Sequence, residues 1–150
     1  MSHDAEPVQC DNPKYNIKDG STLTAEPGNS TFVRLPPEEF HRLTTGRKNP
    51  SRKELKSMGV NFEHEEDVKE SMCNGEPMQP MFLDYNQDEE QIMTHEGRMR
   101  AQAAKEIGKD NLPVMIFCRG NDNRRADCEL RSGFDLRRNA SPEVEKNMNL

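Results

Sequence analysis

The chain predicts an α+β fold: a small mixed sheet with helices packed on it, and irregular N- and C-terminal arms. Three observations carry this. Short β-rich or alternating runs recur at 31–35, 81–85, 92–95 and 113–118. Helix start and stop signals bracket the stretches between them. Residues 94–118 read in sequence as strand, arginine-bearing turn, alanine-rich helix ending at Gly108, and strand. A length of 150 residues suits one domain, placed at 30–118, with an N-terminal arm over 1–29 and a basic segment over 119–150.

Each element has a local reason. Residues 1–29 are rich in Asp, Asn, Pro, Gly, Ser and Thr and show no sustained period, so they read as an arm. In Thr31-Phe32-Val33-Arg34-Leu35, Val33 and Leu35 share one strand face. Pro37 with Glu38 and Glu39 opens a helix, and Phe40 and Leu43 lie on one side of it. Ser51 with Glu54 has capping-box spacing for a short helix ending at Met58-Gly59. His64 to Cys73 is a further helix, with Val68 and Met72 four apart and Asn74-Gly75 as its stop. His64-Glu65-Glu66-Asp67 has the composition of a metal ligand set, but acids in a helical first turn complement the dipole, and that reading is preferred. Pro77 to Pro80 reads as a linker, 81–85 and 92–95 as paired strands around an acidic turn, and 98–107 as a helix. Met78, Met81, Met93 and Met115 are expected in the core.

Composition narrows the function classes. Leu, Ile, Val and Phe make only 25 of 150 residues, and Trp is absent, so the core is small. No apolar run is long enough to span a bilayer, and no export signal is visible, so a cytoplasmic location without a membrane is the expectation. Cys10, Cys73, Cys118 and Cys128 have no C-x-x-C spacing and are expected as free thiols. A zinc site from Cys118, Cys128 and a histidine is not favoured, and no metal site is assigned.

The net charge is −6, but its distribution is uneven. Residues 1–94 hold 10 basic and 18 acidic side chains, whereas 95–139 hold 10 basic and 7 acidic. Arg119, Arg124, Arg125, Arg131, Arg137 and Arg138 form a basic segment that can contact nucleic acid or a protein partner. Asp122, Asp127, Glu129 and Asp135 are interleaved and would repel a phosphate backbone, which favours the protein partner. The plainer alternative is a solvated, salt-bridged surface.

The sharpest motif is Glu96-Gly97-Arg98-Met99-Arg100. Gly97 permits a tight turn, and a guanidinium beside a helix N-terminus suits bidentate recognition of phosphate. Arg98 and Arg100 project to different sides of such a turn, so only one is expected to face a pocket. Glu96 can orient an arginine, bind a metal or take a proton, and His95 can act as general acid or base. The competing reading is a glycine turn with two surface arginines.

Residues 94–117 resemble the signature of the ParB/sulfiredoxin-like superfamily. The matching pieces are Glu96-Gly97-Arg98-Met99-Arg100, the helical run Ala101 to Gly108, and Pro113-Val114-Met115-Ile116, with Pro80-Met81-Phe82-Leu83 as the preceding strand. His95 to Ala101 is similar to a His-Glu-Gly-Arg-His-Arg-Ala run of phage-encoded members, which also carry a helix like Pro37-Glu38-Glu39-Phe40. The resemblance implies a site for nucleoside triphosphate phosphates, with Gly97, Arg98 and Arg100 as binding residues, His95 and Glu96 assisting, and ATP or CTP with Mg²⁺ as the ligand. Sulfiredoxin's reactive cysteine is Arg98 here and the following histidine is Met99, which argues against sulfinic-acid reduction. A helix-turn-helix domain of the kind chromosome-partitioning members use to read DNA is not recognisable and is not expected. The leading expectation is a phage-type nucleotide- or phosphate-binding protein, with NTP hydrolysis or phosphoryl transfer as its extension. A non-enzymatic protein that binds and inhibits or redirects a host protein is the alternative from another class. A nucleic-acid modification or nicking accessory is the third.

Overall fold

The chain order is β1 (Asn16–Ile17), β2 (Ser30–Leu35), α1 (Pro37–Thr45), α2 (Arg52–Ser57), α3 (Glu65–Asn74), β3 (Pro77–Met78), β4 (Met81–Asn86), β5 (Gln91–Glu96), α4 (Arg98–Glu106) and β6 (Leu112–Arg119). This computed structural model describes residues 10–18, 30–86, 88–89 and 91–119. Four strands form one mixed sheet in the order β2-β6-β4-β5. β6 runs antiparallel to β2 and parallel to β4, and β4 pairs with β5 as an antiparallel hairpin. The fold is α+β, and the strands expected at 81–85, 92–95 and 113–118 share one sheet.

The helices form where their end signals lie. Ser51 Oγ accepts from the Glu54 amide at 3.0 Å, and Glu54 Oε1 accepts from the Ser51 amide at 2.8 Å, completing the capping box. α4 ends as its glycine implies. The Gly108 amide donates to Lys105 O and the Lys109 amide to Ala104 O, the two bonds of a Schellman stop. Ala101, Ala103 and Ala104 are buried, and their small side chains let α1 and α3 pack closely on α4. Phe40 and Leu43 of α1, Met72 of α3, and Met81, Leu83, Leu112, Val114 and Ile116 of the sheet complete the core.

Three expectations need correction. Cys10 and Cys73 are not free thiols: they form a disulfide across 63 residues. Their spacing carries no pairing signal, because the contact depends on tertiary structure. In the chain-entropy view, closing a loop of that size stabilises the fold by about 4 kcal/mol. Residues 77–80 are not only a linker, since Pro77–Met78 pairs in parallel with Asn16–Ile17. Part of the N-terminal arm is therefore built into the fold, and Tyr15 belongs to the core cluster. Met93 is half exposed on the edge strand β5 rather than in the core, whereas Met81 and Met115 are buried and Met78 packs against the core.

Among the described residues, no helix is long and apolar enough to cross a membrane. Arg119 ends β6. Arg124, Arg125, Arg131, Arg137, Arg138 and Cys128 lie outside the described residues.

Candidate functional site

The strand-to-helix turn exists because Gly97 makes it possible. Its φ is +134°, which side chains of L-residues rarely adopt, and a Cβ there would lie 2.7 Å from Met81 Cγ and 2.8 Å from Met81 Cε. The turn delivers β5 directly into α4, with Gly97 as the N-cap. Glycine has no side chain to cap the helix. The amides of Arg98, Met99 and Arg100 lie ahead of the helix's own ladder, whose first bond runs from the Ala101 N–H to Gly97 O at 2.7 Å.

These amides stand at a pocket of about 390 Å³. One wall is His95, Glu96, Gly97, Arg98, Met99 and Arg100, and the other is Met58, Gly59, Val60 and Asn61, the connection between α2 and α3. Sequence reasoning identified the first wall and missed the second, whose residues carry no chemical signal of their own. Both arginines border the pocket, contrary to the expectation that only one would face it.

The two guanidiniums are held differently. Arg98 Nη2 donates to Thr44 O near the end of α1, while its Nε is buried with no acceptor. Burial also lowers the Arg98 pKa. Arg100 is more fully engaged. Its Nη1 donates to the Tyr15 hydroxyl at 2.8 Å and to Gln79 O at 2.5 Å, and its Nη2 reaches Glu96 Oε2 at 3.3 Å. Glu96 thus takes the arginine-orienting role, although its side chain is 63% exposed. Tyr15, Gln79 and Thr44 were not foreseen. Tyr15 is 85 residues from Arg100, and only the alternation Tyr15-Asn16-Ile17 hinted that this part of the arm was structured.

His95 is half-buried opposite Leu83. Burial lowers its pKa, the neighbouring Arg98 cation lowers it further, and Glu96 opposes both. The imidazole is thereby held neutral at physiological pH and can accept a proton. Glu96 is the one carboxylate in the pocket lining, and it is tied to Arg100. Among the described residues, no group of three or more His, Cys, Asp or Glu side chains could hold a metal ion. The charged donors that line the pocket, Arg98 and Arg100, are cationic and suit an anionic group.

No protein-family model, curated protein or solved structure matches the chain.

Proposed function

We propose that the chain binds a phosphate-bearing ligand, in the leading form a nucleoside triphosphate, in the pocket between the N-terminus of α4 and residues 58–61. The observation that carries this reading is the buried Nε of Arg98. It has no acceptor, and Arg98 lines the pocket together with the first turn of α4, whose amides lie ahead of the helix's own ladder. A buried donor without a partner costs about 1–3 kcal/mol, and an anionic oxygen would recover that cost. The helix dipole adds to the attraction.

The resemblance to the ParB/sulfiredoxin-like superfamily supports the same reading, because it assigns a phosphate-cradling role to this turn. In the proposal, Gly97 admits the ligand close to the backbone, and Arg98 and Arg100 meet the phosphates. His95 is the base for phosphoryl transfer or hydrolysis if chemistry follows binding, with Glu96 orienting Arg100. The proposal carries with it a cytoplasmic location, where nucleoside triphosphates are supplied.

A second reading is a non-enzymatic protein that binds a host partner. Met93 on the edge strand β5 and Met58 at the pocket rim are the large apolar side chains that stand exposed among the described residues, and they favour it. A thermal-shift series with ATP, CTP and GTP, each with Mg²⁺, separates the two. A rise of several degrees with one nucleotide is expected, since ligand at about 100 times its dissociation constant adds about 2.7 kcal/mol. No rise with any of them at millimolar concentration contradicts the nucleotide reading and leaves the partner-binding one.

A further inference from the structure

We propose that the Cys10–Cys73 disulfide is a redox latch on this pocket: when oxidised it holds Tyr15 against Arg100, and its reduction releases Arg100 for the phosphate-bearing ligand. The inference rests on the phosphate-site reading and adds its regulation.

A continuous set of contacts links the disulfide to the pocket. Cys10 is bonded to Cys73 in α3. Four residues on, the Lys14 amide donates to Met72 O at 2.8 Å. Asn16 Nδ2 donates to Gly75 O at 2.7 Å, Asn16 and Ile17 pair with β3, and the Lys18 amide donates to Met78 O at 2.8 Å. These bonds all anchor residues 10–18 to the one stretch 72–79. They place Tyr15, only 7% exposed, in the core with its hydroxyl donating to Gln79 O and accepting from Arg100 Nη1. Burial raises the Tyr15 pKa, while the Arg100 cation opposes that, so the phenol stays neutral and keeps both bonds.

The consequence falls on Arg100. A guanidinium has five N–H donors, two of them on Nη1. Tyr15 and Gln79 take both of those, and Glu96 takes one on Nη2. Of these three bonds the one to Tyr15 depends on segment 10–18, so seating that segment holds one Nη1 donor of Arg100 away from the ligand. Two paired two-residue strands are too short to hold the segment firmly without the covalent tie. Both cysteines are partly exposed, which gives a reductant access.

The chemistry is thiol–disulfide exchange with a dithiol reductant. A thiolate of the reductant attacks one sulfur, the Cys10–Cys73 bond breaks, and the second thiol resolves the mixed disulfide. Two electrons and two protons pass to Cys10 and Cys73, and the reductant leaves as a disulfide. In a reducing compartment such bonds are typically transient and redox-sensing, as a latch requires.

The test is calorimetric titration of the full chain with inorganic pyrophosphate, oxidised and after dithiothreitol, with hydrogen exchange followed at residues 14–18. Reduction should tighten binding about tenfold, the weight of roughly one charge-assisted hydrogen bond, and should raise exchange at 14–18. The Cys10→Ser, Cys73→Ser double variant should bind like the reduced protein under both conditions, which excludes Cys118 and Cys128 as the source. Tyr15→Phe keeps the ring and the disulfide but removes the acceptor, so it should bind tightly while still oxidised. Arg100→Ala should bind equally in both redox states. Equal, measurable affinity for oxidised and reduced wild type overturns the latch and leaves the phosphate site standing. Absence of binding in every sample instead overturns the phosphate reading, and the latch with it.

Discussion

The two ends of α4 are built on opposite terms. At its C-terminal end the charged groups and the closing amides are paired, although the Gln102 Oε1 is buried without a partner. Gly108 and Lys109 close the helix, and Glu106 receives Lys69 Nζ at 2.8 Å, Arg52 Nη1 at 2.9 Å and Gln102 Nε2 at 2.9 Å. Glu65 adds a second carboxylate, taking Arg52 Nη2 at 2.7 Å, and Arg52 also lies over the Phe62 ring at 4.3 Å. The network ties α2, α3 and α4 together. At the N-terminal end the helix has no side-chain cap, its first three amides lie ahead of the ladder, and the buried Nε of Arg98 has no acceptor. Unmet donors are costly, and it is at the open end that the proposed phosphate-bearing ligand would offset that cost.

The comparison is broken most severely at Gly97. Gly97→Ala combines a backbone conformation that alanine resists with a Cβ pressed against Met81, and should cost about 4 kcal/mol of stability in chemical denaturation. Loss of under 1 kcal/mol would show that the turn relaxes freely and that its glycine is not structurally required.

Next comes the satisfied end. Lys69 is 5% exposed, and removing it leaves Arg52 as the cation shared by Glu65 and Glu106 in this network. Lys69→Ala should lower stability by about 3 kcal/mol. It should leave nucleotide binding at the opposite end unchanged, because additivity holds for distant sites.

A third prediction concerns pH. His41 is fully buried between α1 and α4, and no hydrogen bond of good geometry reaches either ring nitrogen. Burial lowers its pKa to about 4; nearby Gln102 opposes this, and Lys105 and Arg98 add to it against a small contribution from Glu38. The unfolded chain thus binds more protons than the native one between about 4 and 6.5. The His41 contribution, about 3 kcal/mol, is fully present above the unfolded value and is lost as pH falls through that window. His95 titrates in the same direction. Denaturation curves from pH 7.5 to 4 should therefore show falling stability, and His41→Leu should flatten most of the slope. Glu106 produces a separate, more acidic step: burial pushes its pKa up, but the bonds from Lys69, Gln102 and Arg52 together outweigh this and lower it to about 2, so its contribution is lost only as pH falls from about 4.5 toward 2.

What could be read from the sequence follows the range of the interaction. The capping box of α2, the glycine stop of α4, the buried face of Val33 and Leu35 and the strand-turn-helix-strand order all depend on residues a few positions apart. The motif wall of the pocket was legible for the same reason. The rest depends on contacts that no local pattern encodes. Cys10 meets Cys73, Arg98 meets Thr44 across 54 residues, and Tyr15 meets Arg100 across 85. The exposed Met93 shows the other limit. Ile92 and Met93 both look like core residues, but β5 is an edge strand, and only Ile92 packs against the core.

The central claim is that the open donors at the N-terminus of α4 are there for phosphate. It is tested most directly by calorimetric titration of Mg²⁺–ATP and Mg²⁺–CTP into reduced wild type and Arg98→Ala. One nucleotide should bind the wild type, and Arg98→Ala should weaken it by about 2 kcal/mol, roughly thirtyfold, with Arg98→Lys recovering only part because the forked donor is lost. Equal binding by wild type and Arg98→Ala, or no heat from either nucleotide with the wild type, would contradict it.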